Sequence, residues 1–141
     1  MTSSRNPFSK MILVVEDEPD TAEMLQEMLH LCGYDVVHIY EGNDALPAIF
    51  ANHPDAVLLD VVLSDISGLE VMCNIRRIPE FERLPVILVS GNNHPSDIQA
   101  GYVAGASTYL TKPISFWELK ESLDNLINKT GKTAGASSPI D

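Results

Sequence analysis

Apolar residues recur along this chain in two alternating rhythms. Short unbroken runs, Met11-Ile12-Leu13-Val14-Val15, Ala56-Val57-Leu58-Leu59 and Val86-Ile87-Leu88-Val89, stand between longer stretches where apolar positions return every three or four residues. Runs of four or five apolar residues suit strands buried on both faces, the condition of a parallel sheet covered by helices. Two more mixed runs, 35–39 and 106–110, complete a set of five. Between them, Ala22, Leu25, Met28, Leu29 and Cys32 keep helical spacing, with Pro19 near the helix start and Gly33 just past its end. Residues 43–52 predict a short helix with Pro47 near its first turn. The other helices are marked at their starts. Ser67-Gly68-Leu69-Glu70, Ser96-Asp97-Ile98-Gln99 and Ser115-Phe116-Trp117-Glu118 each match the capping box, in which Ser and an acid or amide three residues on satisfy first-turn amides. Leu119, Leu123, Leu126 and Ile127 give the last helix its buried stripe.

Five strand–helix units with connections of this length call for right-handed crossovers and a parallel sheet with helices on both faces. The predicted fold class is α/β: a doubly wound five-stranded parallel sheet, order 2-1-3-4-5, with five helices on both faces. One domain over residues 10–128 accounts for the pattern. Residues 1–9 read as a flexible lead-in, and 129–141, small, polar and carrying Gly, Ser and Pro, as a flexible tail.

Charge narrows the function classes. The 141 residues hold 9 Lys and Arg against 20 Asp and Glu, a net charge of −11. That excess argues against direct contact with nucleic acid, whose affinity depends on neutralising phosphates, and favours partners with basic patches. No apolar stretch is long enough to span a bilayer, and the five apolar residues before Glu16 are too few for a signal-peptide core, so a cytoplasmic protein without membrane contact is expected. Cys32 and Cys73 sit in helical stretches beside apolar residues and read as buried free thiols. His30, His38, His53 and His94 show no metal-ligand spacing and read as surface or structural groups.

The strand-like runs end on chemistry. The first runs into Glu16-Asp17, the third into Asp60, the fourth into Ser90 and the fifth into Lys112-Pro113. In a parallel sheet all these ends share one edge, and ligands of open α/β sheets bind at that edge, at the switch point between strands 1 and 3. Three neighbouring carboxylates repel unless a cation joins them, and hard oxygen ligands suit Mg2+ or Mn2+. An ammonium and a hydroxyl beside them suit the oxygens of a phosphoryl group, and a carboxylate can itself accept that group. Taken singly, each piece has a plainer reading: an acidic pair favouring a helix dipole, an Asp in a turn, a half-buried strand tyrosine at Tyr109.

Taken together, Val14-Val15-Glu16-Asp17-Glu18-Pro19, Val57-Leu58-Leu59-Asp60 through Gly68, Val86-Ile87-Leu88-Val89-Ser90-Gly91 and Gly105-Ala106-Ser107-Thr108-Tyr109-Leu110-Thr111-Lys112-Pro113 resemble the receiver domain of two-component response regulators, over about residues 10–128. The resemblance implies a flavodoxin-like fold and a signalling module, not an enzyme in the ordinary sense. It implies that Asp60 is the phospho-acceptor, fed by a histidine kinase or a histidine phosphotransfer protein. It makes Glu16 and Asp17 the metal-binding pair, Asp17 directly and Glu16 through water, with Asp60 and the Val62 backbone carbonyl completing the shell. Ser90 and Tyr109 match the switch pair and Lys112 the family's lysine, with Lys112-Pro113 expected to be a cis peptide. Phosphorylation then changes the surface of helix 4, strand 5 and helix 5 for a downstream protein partner, in a monomer or a phosphorylation-linked dimer. Gln99, Tyr102, Val103, Thr111 and Trp117 are the expected contact residues.

Two departures stand out. Ser64 occupies a position where the family pattern usually has Pro, which suggests a more mobile loop after Asp60. Val62 and Asn92, two residues beyond Asp60 and Ser90, occupy the positions that tune phosphoryl lifetime, and apolar Val62 offers nothing to orient a water. Three other functions compete. A HAD-like phosphohydrolase uses a second Asp two residues after the first, where this chain has Val62. A receiver-like scaffold that works without phosphorylation usually loses one of the site residues, and this chain keeps them. The leading expectation is a stand-alone receiver with no output domain, because the sequence stops too soon after helix 5 for one; the alternative is an excised receiver of a larger regulator or hybrid kinase, with the tail a truncated linker.

Overall fold

A strand sends alternate side chains to opposite faces, and the central runs of this chain are apolar at both sets of positions. The computed structural model describes residues 8–128; the first seven residues of the expected lead-in and the whole expected tail lie outside the described residues. Strands β1 (Met11–Val15), β2 (Asp35–Ile39), β3 (Ala56–Asp60), β4 (Val86–Ser90) and β5 (Thr108–Thr111) form one parallel sheet ordered β2-β1-β3-β4-β5. Helices α1 (Pro19–Leu31), α2 (Ala45–Asn52), α3 (Gly68–Arg76), α4 (Pro95–Ala104) and α5 (Phe116–Leu123) connect and cover it. The predicted α/β class and strand order hold.

Each face of the sheet has its own core. Ile12, Val14, Leu58, Ile87 and Val89 pack with Leu25 and Leu29 of α1 and Leu119 and Leu123 of α5. Leu13, Val15, Val57, Leu59 and Leu88 pack with Ala45 and Ile49 of α2 and Val71, Met72 and Ile75 of α3. β1, β3 and β4 are buried along their whole length, and each of their Val, Leu, Ile and Met side chains contributes about 1.5–3 kcal/mol. β3 and β4 end in Asp60 and Ser90, and Glu16 follows β1 directly, so the most firmly held part of the fold ends in the polar groups expected to form a site.

Helix α4 is held differently. Its only buried residue among those described is Gly101, and Ala104 adds a partly buried contact to the second core. α4 therefore rests on the sheet with little apolar surface.

The helix starts refine the capping expectations. Ser67 and Ser115 cap α3 and α5, their hydroxyls accepting from Leu69 N at 3.1 Å and Glu118 N at 3.3 Å. Ser96 does not cap α4. Pro95 takes the first helical position, where its missing N–H costs nothing, and moves the cap back to His94, whose Nδ1 accepts from Ser96 N at 3.2 Å. The helix expected over 43–52 is a 3-10 turn at Gly42–Asp44 followed by α2. β5 begins two residues later than expected. Gly105 ends α4 in the left-handed region at φ 116°, and the chain joins the sheet only after Ser107, which exchanges bonds with Val86. The last helix runs from α5 into a π-helical turn at Asp124–Asn128, where Asp124 accepts from the buried Tyr34 hydroxyl at 3.0 Å and from Lys120 at 2.8 Å.

Gly68 brings α3 against the acidic end of β3. Its N–H donates to Val61 O at 2.7 Å, and a Cβ here would fall into the Asp60 carbonyl and within 2.7 Å of Val61 Cα. Backbone cannot yield as a side-chain tip can. Gly68→Ala should destabilise the fold by about 3 kcal/mol in urea unfolding. Wild-type stability for this variant would contradict the close approach.

Candidate functional site

Glu16, Asp17, Asp60, Ser90 and Lys112 all stand where a strand gives way to a loop. Glu16 and Asp17 follow β1 just before Pro19 opens α1, whose cap is Glu18, accepting from Thr21 N at 2.7 Å. Asp60 is the last residue of β3 and Ser90 of β4; Lys112 follows β5, and its N–H donates to Ser90 O at 2.8 Å. The Lys112-Pro113 peptide is cis.

The ammonium of Lys112 joins the ends. It lies 3.0 Å from Asp60 Oδ2 and 3.3 Å from Glu16 Oε1. Asp60, only 4% exposed, accepts on its other oxygen from Val62 N at 3.1 Å, and Glu16, 1% exposed, accepts from Glu18 N at 3.1 Å. Ligand atoms of Glu16, Asp17 and Asp60 all lie within 4.8 Å of one another. Burial pushes the Glu16 carboxyl up to about 7, helped by the charge of Asp60 and a hydrogen bond to it, against the Glu18 amide and Lys112. Burial works against the Lys112 ammonium too, but its bonds and charge pairing with Asp60 and Glu16 outweigh it and hold its pKa above the ordinary lysine value. One ammonium faces three carboxylates, a donor set of hard oxygens with charge to spare. That fits a divalent cation such as Mg2+, which usually takes one or two carboxylates and keeps several waters.

Ser90 and Tyr109, the residues expected to form a switch pair, sit on β4 and β5, one and two strands beyond β3. The buried Ser90 hydroxyl accepts from Asn92 N at 3.0 Å, and the Tyr109 hydroxyl donates to Asn92 O at 2.8 Å. Ser90 and Tyr109 are thus tied to the two ends of one residue. The Tyr109 ring lies over Gly101 of α4, where a Cβ would come within 2.7 Å of it, and Tyr109 N donates to the Tyr102 hydroxyl at 3.2 Å. Tyr102, Val103 and Trp117 are 47%, 79% and 72% exposed on α4 and α5.

Three contacts went unread in the sequence. Ser64 donates through both its N–H and its hydroxyl to Asp17, and Asp65 accepts from Gly42 N and Asn43 N at 2.9 and 2.8 Å, with its pKa lowered chiefly by the Asn43 amide. Where the family pattern has Pro, Ser64 supplies two donors that Pro lacks, and both tie the loop after β3 to Asp17. His38 Nε2 lies 2.8 Å from Glu16 O. The signal for it was a polar ring set between Val37 and Ile39 in β2.

The family model for the response regulator receiver domain matches residues 12–124. The chain belongs to the response regulator receiver domain family. Curated relatives of this receiver include the "Probable transcriptional regulatory protein TcrX" of Mycobacterium tuberculosis (strain ATCC 25618 / H37Rv), 39% identical over 86% of this chain and 51% of that protein. The response regulator MprA of Mycobacterium sp. (strain KMS) is 37% identical over 91% of this chain and 55% of that protein. The receiver chain spans about half the length of these curated relatives. Among solved structures, the receiver domain of the sensor histidine kinase PA1611 from Pseudomonas aeruginosa PAO1, with a magnesium ion coordinated in its active site cleft, has a TM-score of 0.79 at 30% identity and covers 85% of this chain and 98% of that one. Receiver domains are signalling modules, not classical enzymes, and those of response regulators interact with histidine kinases. The acidic cluster of this receiver fits a phosphorylation site. Among the described residues no helix is long and apolar enough to cross a membrane.

Glu16 makes the site sensitive to pH in the absence of a cation. Its folded-state value lies above the ordinary 4.5, so the folded receiver holds a proton that the unfolded chain has released, and stability falls as pH rises from about 4.5 through about 7. Glu16→Gln should therefore raise the thermal midpoint at about pH 8 in EDTA, with the gain vanishing as pH falls to about 5. An equal or lower midpoint at the higher pH would contradict a net cost of ionising Glu16.

Proposed function

We propose that this receiver accepts a phosphoryl group on Asp60 from a phosphohistidine of a histidine kinase or phosphotransfer protein, with Mg2+ or Mn2+ bound by Asp17, Glu16, Asp60 and the Val62 backbone carbonyl. The observation that carries the reading is Asp60 itself. It is a buried carboxylate at a strand end, paired with Lys112 and crowded by two further acids.

An Asp60 oxygen attacks phosphorus, the O–P bond forms as the P–N bond breaks, and the electron pair leaves with the imidazole. A bound divalent cation supplies Lewis-acid stabilisation of the phosphoryl oxygens. Lys112 carries three donors, so it keeps a bond to the acceptor while donating to an oxygen of the incoming group. The Val62 amide, already on Asp60 Oδ1, holds the carboxylate plane. Ser90 accepts from Asn92 and retains a proton to donate to the phosphoryl group. As Ser90 moves toward it, Asn92 N loses its acceptor, and the Asn92 carbonyl that holds Tyr109 shifts with it. Tyr109 leaves its place over Gly101, and α4, resting on little buried surface, responds. The phosphoryl group thereby favours one of two arrangements through contacts made in that arrangement only. The surface of Gln99, Tyr102, Val103, Thr111 and Trp117 meets a downstream protein partner.

Incubation with acetyl phosphate and Mg2+ should add one phosphoryl group by intact-mass spectrometry, and Asp60→Ala should abolish the addition. An unmodified wild type, or an equally modified Asp60→Ala, would refute the assignment. Val62 is 63% exposed beside the acceptor and apolar. Val62→Asn, able to orient a water, should shorten the lifetime of the aspartyl-phosphate several-fold, and an unchanged decay would remove Val62 from the control of lifetime.

A further inference from the structure

Ser64 makes an unusual contact for an exposed loop residue. Its N–H and its hydroxyl both donate to one oxygen of Asp17, Oδ2, at 2.8 and 2.7 Å. The two residues are 47 apart in sequence, so the contact bridges the loop after β1 to the loop after β3. Ser64 is itself anchored from the next residue, because Asp65 accepts two amide hydrogen bonds from Gly42 and Asn43. The donors that reach Asp17 are therefore tied to the 3-10 turn before α2, and Leu63 and Ile66 on either side of them pack against the second core.

The members of the acidic cluster are oriented by different groups. Lys112 pairs with Glu16 and Asp60, and the amides of Glu18 and Val62 hold their other oxygens. Asp17 is oriented by Ser64. Two donors on one oxygen stop rotation of the carboxylate and leave Oδ1 to a further ligand. Hydrogen bonds to a charged acceptor are also the stronger kind. A carboxylate fixed in this way enters a metal shell without first losing its rotamer freedom.

We propose that Ser64 is a positioning residue for the divalent cation: by clamping Oδ2 of Asp17 it presents this ligand to the cation already oriented, and so sets the cation affinity of the receiver. The proposal rests on the reading of Glu16, Asp17 and Asp60 as the metal site. It assigns a role to a side chain that never touches the metal or the phosphoryl group.

The test is a Mg2+ titration of the 141-residue chain, followed by the amide NMR shifts of the Asp17 and Asp60 loops, with thermal unfolding in EDTA alongside. Ser64→Ala removes the hydroxyl donor and keeps the amide; Ser64→Pro removes both; Ser64→Thr keeps both. Outer-sphere partners of metal ligands typically contribute about tenfold or more to affinity, so Ser64→Pro should lose about tenfold and Ser64→Ala part of that. Ser64→Thr should restore wild-type binding, while the unfolding midpoints of the Ala and Thr variants in EDTA should differ by no more than the loss of one exposed hydrogen bond, about 5 °C at most. A merely structural role would move those midpoints further apart and leave the affinity alone, which would overturn the proposal. Wild-type or tighter Mg2+ binding by Ser64→Ala would also overturn it, the tighter case meaning that Ser64 competes with the cation. A wild-type chain that binds no Mg2+ would instead sink the reading of the metal site itself, and the clamp with it.

Discussion

Three carboxylates meet one ammonium at the carboxyl edge of the sheet, and the imbalance of those four charges governs the rest of the site. Like charges about 4 Å apart repel by roughly 4 kcal/mol even at an effective dielectric near 20, a sizeable part of the stability of a small domain. Lys112 relieves part of it through Asp60 and Glu16, and Glu16 absorbs more by holding its proton up to about 7. What remains is an unspent attraction for positive charge at the place where Asp60 would accept a phosphoryl group. The cost is carried by the two cores behind it. β1, β3 and β4 are buried from end to end, so the acids are fixed to strands that cannot retreat.

The far side of the site has the opposite mechanical character. α4 buries one glycine, and its neighbour Tyr109 is held by a hydroxyl bond to Asn92 O and by the Tyr102 hydroxyl on its own N–H. Elements with few buried apolar contacts open at low cost, and a switch has to be drawn from them. The deeply buried strands thus hold the acidic cluster, and lightly anchored α4 presents the exposed Tyr102 and Val103. Asn92 lies between the two, bonded to Ser90 on one side and Tyr109 on the other. A polar residue is not required there, because both bonds use the backbone.

How much of this was legible follows from what a sequence encodes locally. The strand runs and their terminal acids were readable because burial on both faces forces unbroken apolar stretches, and because a parallel sheet gathers all strand ends on one edge. The gathering of Glu16, Asp17 and Asp60 with Lys112 follows from topology alone. Edges of elements were less secure. Ser96 looked like a cap by pattern, yet Pro95 claims the first helical position and passes the cap to His94. β5 looked longer because Ala106 and Ser107 are compatible with a strand, while Gly105 holds the chain out of the sheet until Thr108.

Bonds between loops were not legible, and the reason is specific. Ser64 was visible only as a missing Pro, which argues about chain stiffness, whereas its consequence is a pair of donors delivered to a carboxylate in a different loop. No local pattern encodes that meeting, since it depends on the register of β1 against β3 and on Asp65 anchoring the loop. The same substitution therefore has two opposite implications, a looser loop from the chain's own conformational freedom and a tighter one from the partner it gains. The geometry shows the partner for the second: where Pro would stiffen the chain, Ser64 delivers two hydrogen bonds to a carboxylate in another loop.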